Sequence, residues 1–293
     1  MDFRLLAGGF VGAVALANYV QFDYQAVDAN FVTEEYSSHD LEIEINQVHQ
    51  PILQNVKAYV VFDVNNNKIL HHYNGTEVLP IASITKLFAG IAIHDVFDLE
   101  KDTVLHWSDL NSVGTAGNLQ YGQAYTYREL LFPLLLSSSN NSALTFENRT
   151  VEKYDFILSE IMRNKAIQYG AKSAYFADAS GLSYKNAMSS IDLAHFVSNT
   201  IDVYPYVYNI TRLSSYLGPY TGWVNNSPFI DDESYVGGKH GYTPVSGRTA
   251  VSLFRENFKD TDVILGYIIL GSDNLVQDMT TLRRSVVDLV EIR

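Results

Sequence analysis

The chain has 293 residues, 47% hydrophobic and 18% charged, which is enough apolar material for a sizeable core and excludes wholesale disorder. Its 33 acidic against 20 basic residues leave a formal net charge of -13, which argues against nucleic acid or an anionic membrane surface as main partner. Cysteine is absent, so a disulfide framework, a thiolate zinc site and a cysteine nucleophile are excluded.

Residues 5–22 carry no charge and approach the length that crosses a bilayer, roughly 17–25 residues. Ala15-Leu16-Ala17 is a small-x-small pattern like a signal-peptidase site. Residues 1–22 therefore read as a signal peptide or an uncleaved N-terminal membrane anchor, with a buried core helix as the bland alternative. Arg4 before the segment, and Asp23, Asp28, Glu34 and Glu35 after it, fit the positive-inside orientation. Residues 23–50 read as an acidic linker, although the alternation in LEIEINQV (41–48) predicts a strand in part of it. Residues 51–293 read as one globular domain.

AYVVFDV (58–64), an Asn-rich turn and KILHHYN (68–74) predict a hairpin. A helix follows Ser83. RELLFPLLLSSSNNSALTF (128–146) predicts two helical pieces, punctuated by Pro133 and the Ser/Asn cluster. Residues 151–170 show helical periodicity and a closing Gly, and 189–201 open with a Ser cap. Residues 248–256 and 263–272 predict strands, and 279–292 a last helix. Strands at both ends with helices between predict an α+β fold whose sheet draws on both parts of the chain.

Three short motifs carry chemistry. Ser83-Ile84-Thr85-Lys86 puts a hydroxyl and an amine at i and i+3, on one helix face. Serine needs a base within hydrogen-bond reach, and lysine becomes one only when burial or a neighbouring cation lowers its pKa. Its bland reading is a helix cap. SSSNN (137–141) offers Ser-x-Asn in two registers, beginning at Ser138 or at Ser139; its bland reading is a polar loop. VGGKHGYTP (236–244) places Lys239 on a strand beside glycines, where a cation can hold an anionic group and depress the pKa of Lys86; its bland reading is a Gly-rich turn. Order and spacing carry more weight than any motif alone. The eight histidines form no HExxH pattern, and His71 and His72 point to opposite faces of a predicted strand, so metal ligation is the weaker reading.

Over residues 56–272 the chain resembles the serine-type D-alanyl-D-alanine carboxypeptidases, the low-molecular-mass penicillin-binding proteins. LPIASITKL (79–87), YTYRELLFPLLLSSSNNSA (125–143), FADASGLSYKNAMSSIDLAHF (176–196) and GGKHGYTPVSGRTAV (237–251) carry the likeness, in family order. The resemblance implies a β-lactamase/transpeptidase-like fold, with an antiparallel sheet flanked by helices and a mostly helical subdomain. It selects the register Ser138 to Asn140. It implies acyl transfer with Ser83 as nucleophile, Lys86 as base and Ser138 as proton relay. Asn140, Lys239, His240, Gly241, Tyr242 and Thr243 would bind substrate, with the N–H groups of Ser83 and Tyr242 as the oxyanion hole. It implies no metal or cofactor, peptidoglycan stem peptides as substrate, β-lactam antibiotics as covalent inhibitors, and a bacterial cell-envelope location outside the cytoplasm. His240 departs from the family pattern, which has Thr or Ser there; Arg248 could add to an anion site, with a strand-surface arginine as the bland and preferred reading. Alternatives are an endopeptidase acting on cross-links, a non-catalytic peptidoglycan-binding relic, and a β-lactamase. The last needs a deacylating Glu in a setting that none of Glu147, Glu152, Glu160 and Glu233 occupies.

Overall fold

The computed structural model describes residues 43–45, 52–53, 55–114, 116–154, 156–258 and 261–292. The apolar segment 5–22 and most of the acidic stretch lie outside the described residues. In chain order the first elements are β1 (Ile43–Ile45), β2 (Ala58–Asp63), β3 (Lys68–Tyr73), β4 (Val78–Pro80) and α1 (Thr85–Val96). Then come β5 (Asp102–Val104), β6 (Ala124–Thr126), α2 (Tyr127–Leu135), α3 (Asn140–Tyr154) and α4 (Leu158–Gln168). β7 (Ala187–Ser189), α5 (Ser190–Thr200), α6 (Pro205–Arg212), β8 (Ser215–Leu217) and β9 (Gly222–Val224) follow. β10 (Tyr235–Thr243), β11 (Gly247–Phe258), β12 (Thr261–Ser272), α7 (Leu275–Leu289) and β13 (Val290–Ile292) complete the order.

Five strands form one antiparallel sheet in the order β10-β11-β12-β2-β3. Every residue of β2 is buried, which is why AYVVFD runs apolar without a polar face. Its side chains still alternate: Ala58, Val60 and Phe62 enter the core under the helices, while Tyr59 and Val61 enter a second core under α7. α5 covers the first face through Leu193, Ala194, Phe196 and Val197. α7 covers the second through Leu275, Met279, Leu282 and Val286. Helix α1 is buried through most of its length because it threads the helical half; its Phe88 ring stacks on Phe196 with centroids 3.9 Å apart. Truncating such a ring to alanine costs about 3–5 kcal/mol.

Three local expectations are corrected. Residues 151–170 are not one helix: α3 ends at Tyr154 and α4 begins at Leu158, with exposed Phe156 and Ile157 breaking the buried stripe between them. Pro133 does not end α2, which runs on to Leu135; at its start the helix is opened by a Thr126–Glu129 capping box. The last predicted helix stops at Leu289, and Val290–Ile292 pairs as an antiparallel strand with Ile43–Ile45. The alternation in 41–48 is thus realised as β1.

Strand β10 is an edge strand, and its free side faces the short turn 82–84 that leads into α1. This contact brings a residue near the start of the domain against one near its end.

Candidate active site

Ser83 sits in a single 3-10 turn, Ala82–Ile84. It is not the cap of α1, whose N-cap is Ile84, with no side-chain capping bond. Ala82 has φ +49, a left-handed value that a non-glycine residue rarely adopts. Two neighbours hold it there: the Thr85 hydroxyl donates to the Ala82 carbonyl at 2.7 Å, and Gly181 packs so closely that a Cβ on it would lie 2.0 Å from the same oxygen. Gly181 itself has φ +84, so glycine is required there twice over.

Lys86 lies one turn on and has no exposed surface. Its Nζ is 3.2 Å from Ser83 Oγ, 2.7 Å from Asn140 Oδ1 and 2.5 Å from the Ser180 carbonyl. Burial pushes its pKa well below the ordinary lysine value, and the Lys239 charge pushes it the same way; Asp178 and Glu147 act in opposition.

Asn140 opens α3, and its Nδ2 donates to the Val113 carbonyl at 2.7 Å, which fixes the amide orientation. The two possible Ser-x-Asn registers resolve structurally. Ser139 is buried and its hydroxyl accepts from the Ser142 N–H at 3.2 Å. Ser138, at φ +58, lines the same cleft as Ser83. The cleft encloses about 660 Å³ and is also lined by His240, Gly241, Tyr242, Arg248, Asn226, Pro228 and residues 273–276.

Strand β10 supplies the opposite wall. Lys239 is buried, with its Nζ donating to the His240 carbonyl at 3.0 Å, and burial lowers its pKa to about 7. Burial, then Lys239, then Arg248 lower His240 to about 3, so its imidazole is neutral at physiological pH. A Cβ at Gly241 would stand 2.4 Å from the Ser83 nitrogen, so only glycine allows the strand this close to Ser83. Thr243 is not brought to the cleft. Its hydroxyl pairs with Ser246 Oγ at 2.9 Å in the β10–β11 turn, and it is absent from the lining.

The sequence reading gave no role to several groups behind the site. One oxygen of Asp178 accepts from the N–H groups of Ser180 and Gly181 and from the Ser180 hydroxyl; the other accepts from the Ser183 N–H. The loop is thereby tied into a shape that points the Ser180 carbonyl at Lys86. Glu147 accepts from the Ala179 N–H at 2.6 Å, and burial raises its pKa. The Asp-x-Ser-Gly spelling is the readable trace of such a side-chain-organised turn. Arg248 stands opposite Tyr242 in the β10–β11 register and lines the cleft, so it is not a plain surface arginine. Among the described residues no group of three or more His, Asp or Glu is placed to hold a metal ion.

A family model described as D-alanyl-D-alanine carboxypeptidase matches residues 45–272, most of the chain. The chain belongs to the D-alanyl-D-alanine carboxypeptidase family. Family membership makes it a serine-type hydrolase of the penicillin-binding superfamily. It is 27% identical over 219 residues to a D-alanyl-D-alanine endopeptidase of Haemophilus influenzae, covering 71% of this chain and 73% of that one. It is 26% identical over 203 residues to a D-alanyl-D-alanine carboxypeptidase of Mycobacterium tuberculosis, covering 67% and 69%. The solved structure of penicillin-binding protein D2 from Listeria monocytogenes with cefotaxime bound superposes with a TM-score of 0.68 at 21% identity, over 80% of this chain and 97% of that one. The likeness of fold bears out the α+β, transpeptidase-like architecture expected of this family member.

Proposed function

We propose that this carboxypeptidase cleaves the terminal D-alanine from peptidoglycan stem peptides by acyl transfer through Ser83. The observation that carries the assignment of roles is the environment of Lys86. A neutral amine has two N–H donors and one lone pair. Asn140 Oδ1 and the Ser180 carbonyl accept the two donors, which leaves the lone pair for the Ser83 hydroxyl proton. Burial and the second lysine favour that neutral form. Ser83 Oγ bonds to the penultimate carbonyl carbon while its proton passes to Lys86. Collapse breaks the C–N bond, and Ser138 passes the proton to the departing amine. Water then releases the acyl group. The N–H groups of Ser83 and Tyr242 hold the oxyanion, each contributing about 2.7–4 kcal/mol of barrier lowering.

From strand β10, Lys239 holds the anionic end of the peptide when protonated, and the Arg248 guanidinium on the cleft lining adds a second cation. His240, being neutral, can offer an N–H where a hydroxyl is expected. β-Lactams, whose ring carbonyl mimics the scissile amide, acylate the same serine; cefotaxime is bound in the Listeria structure. The substrate lies outside the cytoplasm, so the enzyme works there. Among the described residues no helix is long and apolar enough to cross a membrane. Attachment is assigned by the sequence reading to residues 1–22, as signal or anchor.

The test is to treat the full-length chain with a labelled penicillin and locate the added mass. An adduct on Ser83 that is absent in Ser83→Ala, together with D-alanine release from a pentapeptide, is the expected result. Absence of any adduct on the folded protein overturns the assignment. Cleavage of cross-linked dimers without D-alanine release would instead place the chain with its Haemophilus relative.

A further inference from the structure

Trp107 and Tyr121 form an exposed stack beside the active-site helix that no step above uses. Their ring centroids are 4.3 Å apart and their planes differ by 11°, yet Trp107 is 69% and Tyr121 52% exposed. Stacked on each other, the two rings present a continuous apolar plane to solvent, the kind of surface that a ligand or partner contacts. The backbone that carries them is tied down on both sides. Trp107 opens the turn Trp107–Leu110, whose Asp109 is fully buried and ion-paired to Arg149 of α3 at 2.7 Å, with Asn148 donating to it at 2.8 Å. Tyr121 is followed by Gly122 and Gln123, which exchange backbone hydrogen bonds with Leu105. The intervening loop meets the catalytic motif directly: Val113 accepts from Asn140 and Ser112 donates to Asn141. The stack is thus held in fixed relation to the helix that presents Asn140 to Lys86.

Its chemistry is neutral. In a chain of net charge -13, no Asp, Glu, Lys or Arg occurs from residue 110 to 127. Ser108, Asn111, Asn118 and Gln120 are exposed around the rings, offering uncharged donors and acceptors. The loop 110–127 offers a charged peptide or a lipid headgroup no acidic or basic side chain. A pyranose ring matches it: its axial C–H groups form an apolar face that stacks on an aromatic plane, while its hydroxyl and acetamido groups hydrogen-bond with amides. We propose that the Trp107–Tyr121 stack is a carbohydrate platform that seats the glycan strand of peptidoglycan, presenting the stem peptide to the cleft. The choice of glycan rests on the peptidoglycan reading above; the platform itself does not.

The full-length Ser83→Ala chain, which performs no chemistry, separates the two ideas. The protein has two tryptophans, and Trp223 is buried, so an emission change on adding a β-1,4-linked N-acetylglucosamine oligosaccharide reports on Trp107. A saturable blue shift and protection from acrylamide quenching are expected. In co-sedimentation with glycan strands stripped of stem peptides, adding Trp107→Ala or Tyr121→Ala to that chain should weaken binding about tenfold, or about 1.4 kcal/mol. In the Ser83-intact chain the same variants should leave penicillin acylation unchanged, which also shows that they fold. Undiminished binding of Trp107→Ala to stripped glycan overturns the proposal. Binding that needs the stem peptides, or a dimer that Trp107→Ala dissociates, overturns it too by assigning the rings to peptide or to a second copy. Failure of penicillin to label Ser83 would instead count against the function reading alone.

Discussion

The two walls of the cleft spend their polar groups differently. Behind Ser83 and Ser138, on the side of α1, α3 and the 178–183 loop, Lys86 has three partners, the carboxylate of Asp178 organises a turn, and Asn140 is bonded at both ends. On the wall made by β10, β11 and the start of α7, His240, Tyr242 and Arg248 face the cleft with few bonds of their own, and Tyr242 is 61% exposed. The first wall is preorganised, as a site must be when it moves a proton at a fixed distance. The second is available to a ligand. On the proposed function, reaction chemistry and substrate choice fall on opposite sides, and substitutions on each should fail in different ways.

The largest effect is expected at Lys86. Lys86→Met removes the base and should slow penicillin acylation by about 10²–10⁴-fold without abolishing reversible binding. Asp178→Asn weakens the loop that aims the Ser180 carbonyl; several charge-assisted bonds are lost or reversed, so about 2–3 kcal/mol of stability should go, read by urea unfolding, together with acylation rate. If the rate falls and stability does not, the loop acts on Lys86 through its charge alone. Arg248→Gln tests the other wall: KM for a peptide with a free carboxylate should rise about tenfold, with kcat held and a C-terminally amidated peptide indifferent. An equal loss of kcat would erase the division between the walls.

The smallest effect is a pH profile. Both lysines have depressed pKa values, so each is charged below its value and neutral above it. Acylation should therefore rise with pH as Lys86 loses its proton. KM for the anionic peptide should worsen as pH climbs through about 7 and Lys239 loses its charge. His240 is neutral above about 3, so His240→Thr should leave the profile between pH 5 and about 7 in place. A limb near pH 6.5 that vanishes in this variant would show that the imidazole titrates in the cleft.

Legibility from sequence follows the same divide. The buried run of β2, the hairpin to β3 and the Ser-capped α5 could be read because each obeys one period and ends on its own punctuation. Ser83, Lys86 and Asn140 could be read because helical spacing and motif order bring them together. The Asp-x-Ser-Gly spelling marks the turn at Asp178 but not its place behind Lys86, and Glu147 carries no signal at all: their partners are largely backbone N–H groups, which every residue carries. For Arg248 the bland reading gives way to the anion-site alternative, because alternation tells which face a strand residue takes, not that the strand opens on a cleft there. The breaks at Tyr154 and Leu289 were missed for the converse reason, since apolar residues continue past both. Thr243 shows that a motif position can be consumed by the turn beside it.

Sheet order has a consequence for how the enzyme comes into being. Ser83 and Lys239 are 156 positions apart, and β10 can join β2 and β3 only through β11 and β12, which follow it in the chain. At about 5–20 residues per second a ribosome takes roughly 8–30 s to travel from the serine codon to the lysine codon. Until the later strands arrive, Ser83 has neither strand β10 against it nor Lys239 beside Lys86. The Ser83–Lys86 pair therefore meets its facing strand only once the sheet is complete.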